Sequence, residues 1–288
     1  ARATVDQPGV ELHEVCARHA AFRLRIDADA PRQALDPQAQ ARITITRLDP
    51  QADQDAALES HLDAAAQQRF ALGKAPMVAI NLFWIGPQRA VLHLIASHLV
   101  FDGWAASTFI AELSARYREL ATGGTRLPWP PAGSPFAFAA AEQARMAGVD
   151  GQESAAYWRE VLAAPPAALE LGDRQPAGAR NFAADTARLR IEGARFAALQ
   201  ALARQQRMTL FQTLLGVVAT LLGRRAGVDD FVLSIPYASQ GLGRHPALLS
   251  DGVLDLPLRL RLASRDNTLA NLGPIRTALM DALEHPLM

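Results

Sequence analysis

Apolar and polar positions divide the chain into short periodic segments. Val10, Leu12, Val15 and Cys16 form a loose helical stripe over residues 10–20, and the alternating run Phe22-Arg23-Leu24-Arg25-Ile26 reads as a short strand. Residues 43–48 are a second strand candidate closed by Asp49-Pro50, and the Ala/Gln/Asp-rich stretch to about Phe70 reads as an exposed helix. Two continuous apolar runs, 77–85 and 90–96, flank Gly86-Pro87-Gln88-Arg89 and predict a buried hairpin. Over 104–120, Ala106, Ile110, Leu113, Tyr117 and Leu120 share one face of an amphipathic helix, which assigns Tyr117, and Trp104 before it, to the core.

Gly123-Gly124 ends that helix, and Pro128-Trp129-Pro130-Pro131-Ala132-Gly133-Ser134-Pro135 cannot continue regular structure, because proline lacks a donor and restricts its predecessor. We read it as the start of a crossing between two halves: an N-terminal lobe 1–127, a linker and crossing helix 128–165, and a C-terminal lobe 166–288. The crossing helix is predicted over 142–162, with Tyr157-Trp158 packing it on the second half, followed by a Pro/Gly-rich loop as far as Arg180. Next come a strand at 186–191, a helix at 194–205, a buried helix at 210–222 capped by Thr209, strands at 230–235 and 253–262, and a helix from 268 to about 284, with His285 on the surface. The mixture predicts an α/β fold of two lobes, each a sheet flanked by helices, with a cleft between them.

Half of the 288 residues are apolar, enough for a sizeable core. The 29 basic and 29 acidic residues balance, so no broad field recruits nucleic acid or an anionic membrane. Cys16 is the single cysteine and has no disulfide partner in the chain; no zinc-like Cys/His spacing occurs, and no apolar run is long enough to span a bilayer. A reducing, cytoplasmic setting is the expectation. The chain does not start with methionine and stops at a helix end, so we read it as a piece of a longer protein.

The segment Ser97-His98-Leu99-Val100-Phe101-Asp102-Gly103-Trp104 places an imidazole and a carboxylate in a tight turn leaving a buried strand. An unperturbed imidazole pKa of about 6.5 lets His98 take a proton from an attacking group and return it. Continued strand alternation would put His98 on the face of Leu92, Leu94 and Ala96, with His93 and Ser97 opposite. Asp102 either accepts from the imidazole or turns inward to an arginine, and Gly103 permits a tight entry to the helix. Taken alone, the same residues also describe a loop histidine followed by an N-cap aspartate. A metal site lacks a third ligand, and a hydrolase on Ser97 lacks the Gly-x-Ser-x-Gly elbow.

This segment resembles the His-His-x-x-x-Asp-Gly motif of nonribosomal peptide synthetase condensation domains, within the chloramphenicol acetyltransferase-like superfamily. Three further stretches match in order: Arg18-His19-Ala20-Ala21-Phe22-Arg23 is similar to the family's Arg-His-x-x-Leu-Arg, Tyr157-Trp158 to its Tyr-Trp, and Leu256-Pro257-Leu258-Arg259 to the end of its Asn-Thr-Leu-Pro-Leu-Arg strand. The resemblance implies the two-lobed fold, His98 as the catalytic histidine at the floor of the cleft, and Asp102 and Gly103 as structural motif residues. It also implies an arginine salt bridge to Asp102, for which Arg259 is the first candidate and Arg18 and Arg23 follow; Arg18 and His19 fit equally well on a solvated helix end. The implied reaction joins a donor thioester and an aminoacyl acceptor, each tethered to a phosphopantetheine arm, into an amide. No cofactor is bound; the implied partners are the donor and acceptor carrier domains and an adjacent adenylation domain. The chain departs from the family where Ser97 replaces the first motif histidine, where Leu254-Asp255 replace Asn-Thr, and where the first N-terminal motif and the C-terminal part bridging the halves are missing. The rival readings are a freestanding ester-forming acyltransferase and a non-catalytic carrier-docking platform.

Overall fold

The computed structural model describes residues 10–27, 29–30, 32–49, 53–86, 89–123, 128–164, 166, 168–172, 186–241 and 247–287. Most of the Pro/Gly-rich loop expected before Arg180, and the tip of the first hairpin, lie outside the described residues. The chain divides into two compact units: residues 1–143 with 238–253, and residues 144–237 with 254–288. A stretch from the second half of the sequence thus belongs to the first unit.

The first unit opens with α1 (Val10–Arg18), a 3-10 turn (Ala20–Arg23) and the antiparallel pair β1 (Leu24–Asp27) and β2 (Arg32–Leu35). The three-stranded sheet is built from β3 (Arg42–Arg47), β4 (Val78–Gly86) and β5 (Arg89–Ala96), in that order. β3 lies parallel to β4, and β4 pairs antiparallel with β5, so the apolar runs form the expected hairpin, but β5 is an edge strand among the described residues and is only partly buried. Alternation then sorts the side chains. Val78, Ile80, Leu92 and Leu94 face a core shared with Phe22, Phe101 and Phe109, while Phe83, Ile85 and Val91 face α2 (Gln54–Ala66) through Leu58 and Leu62.

α3 (Gly103–Ala121) departs from the hydrophobic stripe. It buries Ala105, Phe109 and Arg116, whereas Ile110 and Tyr117 are exposed, Tyr117 by 65%, and Trp104 is open as well. The inward face is shifted because it carries charge into a polar cluster. Arg116 pairs with Glu14 at 3.3 Å and Glu119 at 2.6 Å, and Glu112 pairs with Arg18 at 3.5 Å and His19 at 2.7 Å. The Arg18 and Arg116 guanidinium groups each lie 4.5 Å from the Trp129 ring centre, a double cation–π contact. His19 is therefore 1% exposed and Arg18 nearly buried, where a solvated helix end was one expectation.

Among the described residues, the second unit holds a two-stranded sheet of β6 (Asp230–Ala238) and β7 (Val253–Arg261), most of each strand lying in this unit. The helix predicted over 142–162 is two helices, α4 (Pro135–Ala147) and α5 (Val149–Val161), broken at Gly148, whose extended backbone serves as the N-cap of α5. Residues 186–192 form no strand, and Leu189 among them is 87% exposed. α6 (Gly193–Gln205) and α7 (Leu210–Ala226) follow, α7 opening with a Thr209–Gln212 capping box. α7 buries only its small-residue stripe, Thr213, Gly216, Ala219, Thr220 and Gly223, and exposes Phe211, Val218 and Leu221, where a wholly buried helix was predicted. Gly216 leaves room for Leu272 of α8 (Thr268–Glu284), and Asn271 of that helix donates to Thr220 Oγ1 at 2.9 Å. Trp158 sits in this unit's core and donates to the His285 carbonyl at 2.8 Å. The His285 ring stacks on Tyr157, so it is not the free surface histidine the sequence predicted.

Candidate functional site

The strand β5 stops at Ala96, and the backbone bends at once. Ser97 N donates to the Met77 carbonyl at 2.9 Å, one step beyond the ladder, and Val100 N donates to the Ser97 carbonyl at 3.1 Å, closing a turn. Strand alternation therefore ends before His98. Instead of sharing the core face of Leu92, Leu94 and Ala96, the His98 side chain is turned outward and is 73% exposed. Val100 and Phe101, both buried, anchor the turn from below. His93 stays on the sheet opposite Asn81, and burial lowers its pKa from the ordinary imidazole value.

Asp102 ends the turn and caps α3, its Oδ1 accepting from Ala105 N at 2.7 Å. It is 3% exposed. Its second oxygen, Oδ2, accepts from Gln240 Nε2 at 2.6 Å and from Gly252 N at 3.0 Å. The expected arginine is not there: among the described residues no cation pairs with Asp102. Arg259 instead grips Asp230 at 2.6 and 2.9 Å and donates to the Val161 carbonyl. Arg18 pairs with Glu112 and donates to the Pro130 carbonyl, and Arg23 closes the 3-10 turn ahead of β1. The physical reason is positional. Arg259 belongs to a strand of the second unit whose nearest acid is across the β6–β7 pair, while α1 directs Arg18 into the Trp129 cluster.

Gly103 starts α3 with no positive φ, and a Cβ there would meet nothing, so the tight passage expected of it is absent. The glycine that matters is Gly252. A Cβ on it would collide with the Gln240 amide, and its carbonyl accepts from both Ser239 N and Ser239 Oγ. Immediately before it, Asp251 Oδ1 lies 3.6 Å from His98 Nδ1. Burial raises the Asp251 carboxyl pKa above the ordinary carboxylate value, outweighing the opposing Val253 backbone bond and His98. All of these groups belong to the first unit.

Sequence reasoning missed Gln240, Asp251 and Gly252. The only local signal was the turn dipeptide Asp251-Gly252 just ahead of β7; Gln240 carries none. Leu254 and Asp255 occupy β7, Leu254 half-buried and Asp255 exposed. Cys16 is excluded as a nucleophile, since burial pushes its thiol up to about 12. Among the described residues no group of three or more His, Cys, Asp or Glu is placed to hold a metal, and no helix is long and apolar enough to cross a membrane.

The arrangement is an exposed imidazole on a turn whose far end is pinned by a buried carboxylate, with a second carboxylate beside the ring. Such an imidazole can exchange a proton with a substrate reaching it from solvent. Comparison with known proteins bears on the family to which this arrangement belongs. The Condensation domain family model matches residues 10–285. Malpinin synthetase of Mortierella alpina is 27% identical over 295 residues, covering 98% of this chain and 4% of that protein. Chondramide synthase cmdD of Chondromyces crocatus is 28% identical over 282 residues, covering 95% of this chain and 7% of that protein. Among solved structures, the first condensation domain of the calcium-dependent antibiotic synthetase, in complex with a substrate analogue, superposes with a TM-score of 0.81 at 21% identity, over 96% of this chain and 65% of that one. The chain thus spans a small fraction of the curated synthetases and just under two thirds of a solved domain.

Proposed function

The chain belongs to the condensation-domain family, and from that premise we propose that its parent protein is a nonribosomal peptide synthetase in which this unit joins two carrier-bound substrates through an amide bond. The observation that carries the proposal is His98: the motif imidazole is solvent-accessible, on a turn held by hydrogen bonds to Asp102. The donor is an acyl or peptidyl thioester on a phosphopantetheine arm. The acceptor is an aminoacyl thioester on a second arm. The partners are the two carrier domains, with an adenylation domain in the same parent chain.

In the reaction we propose, His98 accepts a proton from the acceptor amine as its nitrogen attacks the donor carbonyl. The new C–N bond forms, the tetrahedral intermediate collapses, and the C–S bond breaks. The departing thiolate takes the proton back from the imidazolium, so His98 ends as it began. Positioning carries much of the rate: aligning two tethered reactants is worth roughly 7 to 11 kcal/mol in well-oriented systems. General base help adds about a hundredfold or more. Asp102 acts through the fold, holding the turn so that the imidazole has one location.

The test uses the parent synthetase with loaded donor and acceptor carriers, read by mass spectrometry of the carrier-bound product. His98→Ala should lower product formation by about a hundredfold or more with an unchanged thermal melt. Wild-type rates in that variant would overturn the role of His98. Carrier binding without any product in the wild type would instead establish the docking-platform reading, and a parent chain without carrier and adenylation domains the freestanding acyltransferase reading.

A further inference from the structure

Nothing in the family motif accounts for the carboxylate that lies against His98. Asp251 comes from a segment far along the chain, and its backbone is clamped by unusually specific contacts. Gly252 N donates to Asp102 Oδ2 at 3.0 Å, the Gly252 carbonyl accepts from Ser239 N at 3.0 Å and Ser239 Oγ at 2.9 Å, and Gln240 fills the space a Cβ at 252 would need. Val253 N donates to Asp251 Oδ1 at 3.4 Å, which fixes the direction of the carboxylate. The same buried acceptor, Asp102, therefore anchors both the turn that carries His98 and the segment that carries Asp251.

We propose that Asp251 is a positioning residue for His98, holding the imidazole by its Nδ1 edge so that the proton of the neutral ring resides on Nδ1 and the Nε2 lone pair faces the substrate. This deepens the acyl-transfer reading given above and rests on it for its catalytic consequence. A carboxylate beside one ring nitrogen selects the tautomer that offers it an N–H, and thereby leaves the other nitrogen as the base. The 3.6 Å separation is an ion-pair distance, longer than the roughly 3 Å of a hydrogen bond, and unliganded sites commonly show such contacts long before substrate tightens them. The His98 ring is 73% exposed, which leaves it room to turn toward the carboxylate. Burial, which raises the Asp251 carboxyl pKa, also gives this carboxylate more to gain from a donor than a solvated one would have.

The experiment compares wild type, Asp251→Ala and Asp251→Leu in the full chain, with ¹⁵N-labelled histidine. Long-range ¹H–¹⁵N correlations, at a pH where the imidazole is neutral, report the His98 tautomer without any need for turnover. The expected result is an Nδ1–H form in the wild type and a shift toward the Nε2–H form in Asp251→Ala, with unchanged melting. In the parent synthetase, Asp251→Ala should lower kcat about tenfold or more with little change in KM, and should add nothing to His98→Ala. An unchanged tautomer in a folded variant overturns the proposal. Should Asp251→Ala fail to fold, the Asp251→Leu spectrum decides in the same way, since leucine has a similar shape and nothing to accept the Nδ1 proton. A tautomer shift in a protein that makes no product would support the positioning role and sink the acyl-transfer reading, so the two ideas fail separately.

Discussion

Asp102, in the first unit, is 3% exposed and accepts three hydrogen bonds, all from neutral donors: a helix N–H, a side-chain amide and a loop N–H. Asp230, in the second unit, has its side chain 37% exposed and is held by Arg259 at 2.6 Å with Arg261 at 3.7 Å. The buried carboxylate is satisfied by neutral dipoles and the more open one by the charged side chains of two arginines. A buried charge pays a desolvation cost that directional donors can offset, and the start of α3 supplies one such donor together with the favourable end of the helix dipole. An exposed charge retains its water, so its ion pair adds little and is weakened by salt. The turn carrying His98 thus owes its shape to geometry-sensitive contacts, which small changes should damage, whereas the Asp230 pair should tolerate change.

The largest expected effect comes from removing the Asp102 carboxylate. Asp102→Ala strands three buried donors and should cost about 3 kcal/mol or more in chemical denaturation. Asp102→Asn sharpens the point, because both carboxylate oxygens accept in the native protein. Whichever way the asparagine amide turns, its NH₂ opposes a backbone N–H, so this near-isosteric change should still lose a large part of that stability. Equal melting of wild type and Asp102→Asn would show that the three bonds do not matter. Next in size is Gly252→Ala, whose methyl collides with Gln240; displacing that side chain should cost about 1 to 3 kcal/mol. The double change Gly252→Ala with Gln240→Ala should recover part of the steric cost, and a purely additive loss would contradict the collision.

The smallest effect is expected at Asp230. The hydrogen bond from Arg259, with its charge, holds the Asp230 carboxyl below the ordinary carboxylate range. A carboxyl with a depressed folded-state pKa stabilises the protein above its unfolded value, about 3.9, and that contribution is lost as the pH falls through the folded value. Asp230→Asn should therefore lower the melting temperature slightly at pH 7, by less in high salt, and the gap should shrink as the pH falls below about 4 and close only below the folded-state pKa. A gap that persisted there would place the Asp230 contribution in packing rather than charge.

Continuous apolar runs announced the β4–β5 hairpin, of which β4 is largely buried and β5 only partly, and Thr209 announced α7 because a capping hydroxyl acts within one turn of its own residue. Where the reading failed, apolarity was the wrong guide. Ile110 and Tyr117 looked like the inward face of α3, yet the helix turned Glu112 and Arg116 inward, since each finds partners from α1 in a packed cluster around Trp129. The 186–191 segment has strand-like residues but forms no strand among the described residues.

Most local elements, the family motif and a histidine at the end of an apolar strand are legible from residue order alone, because each depends on neighbours along the chain. Which way that histidine faces, and what holds it, follows from packing between distant segments. Gln240 and Gly252 stand 138 and 150 residues from the aspartate they bind, and Asp251 meets His98 by the same return of the chain. Periodicity records neighbours along one element. A polar contact between distant segments leaves no period, and its strength depends on distances and angles that exist only once both segments are packed.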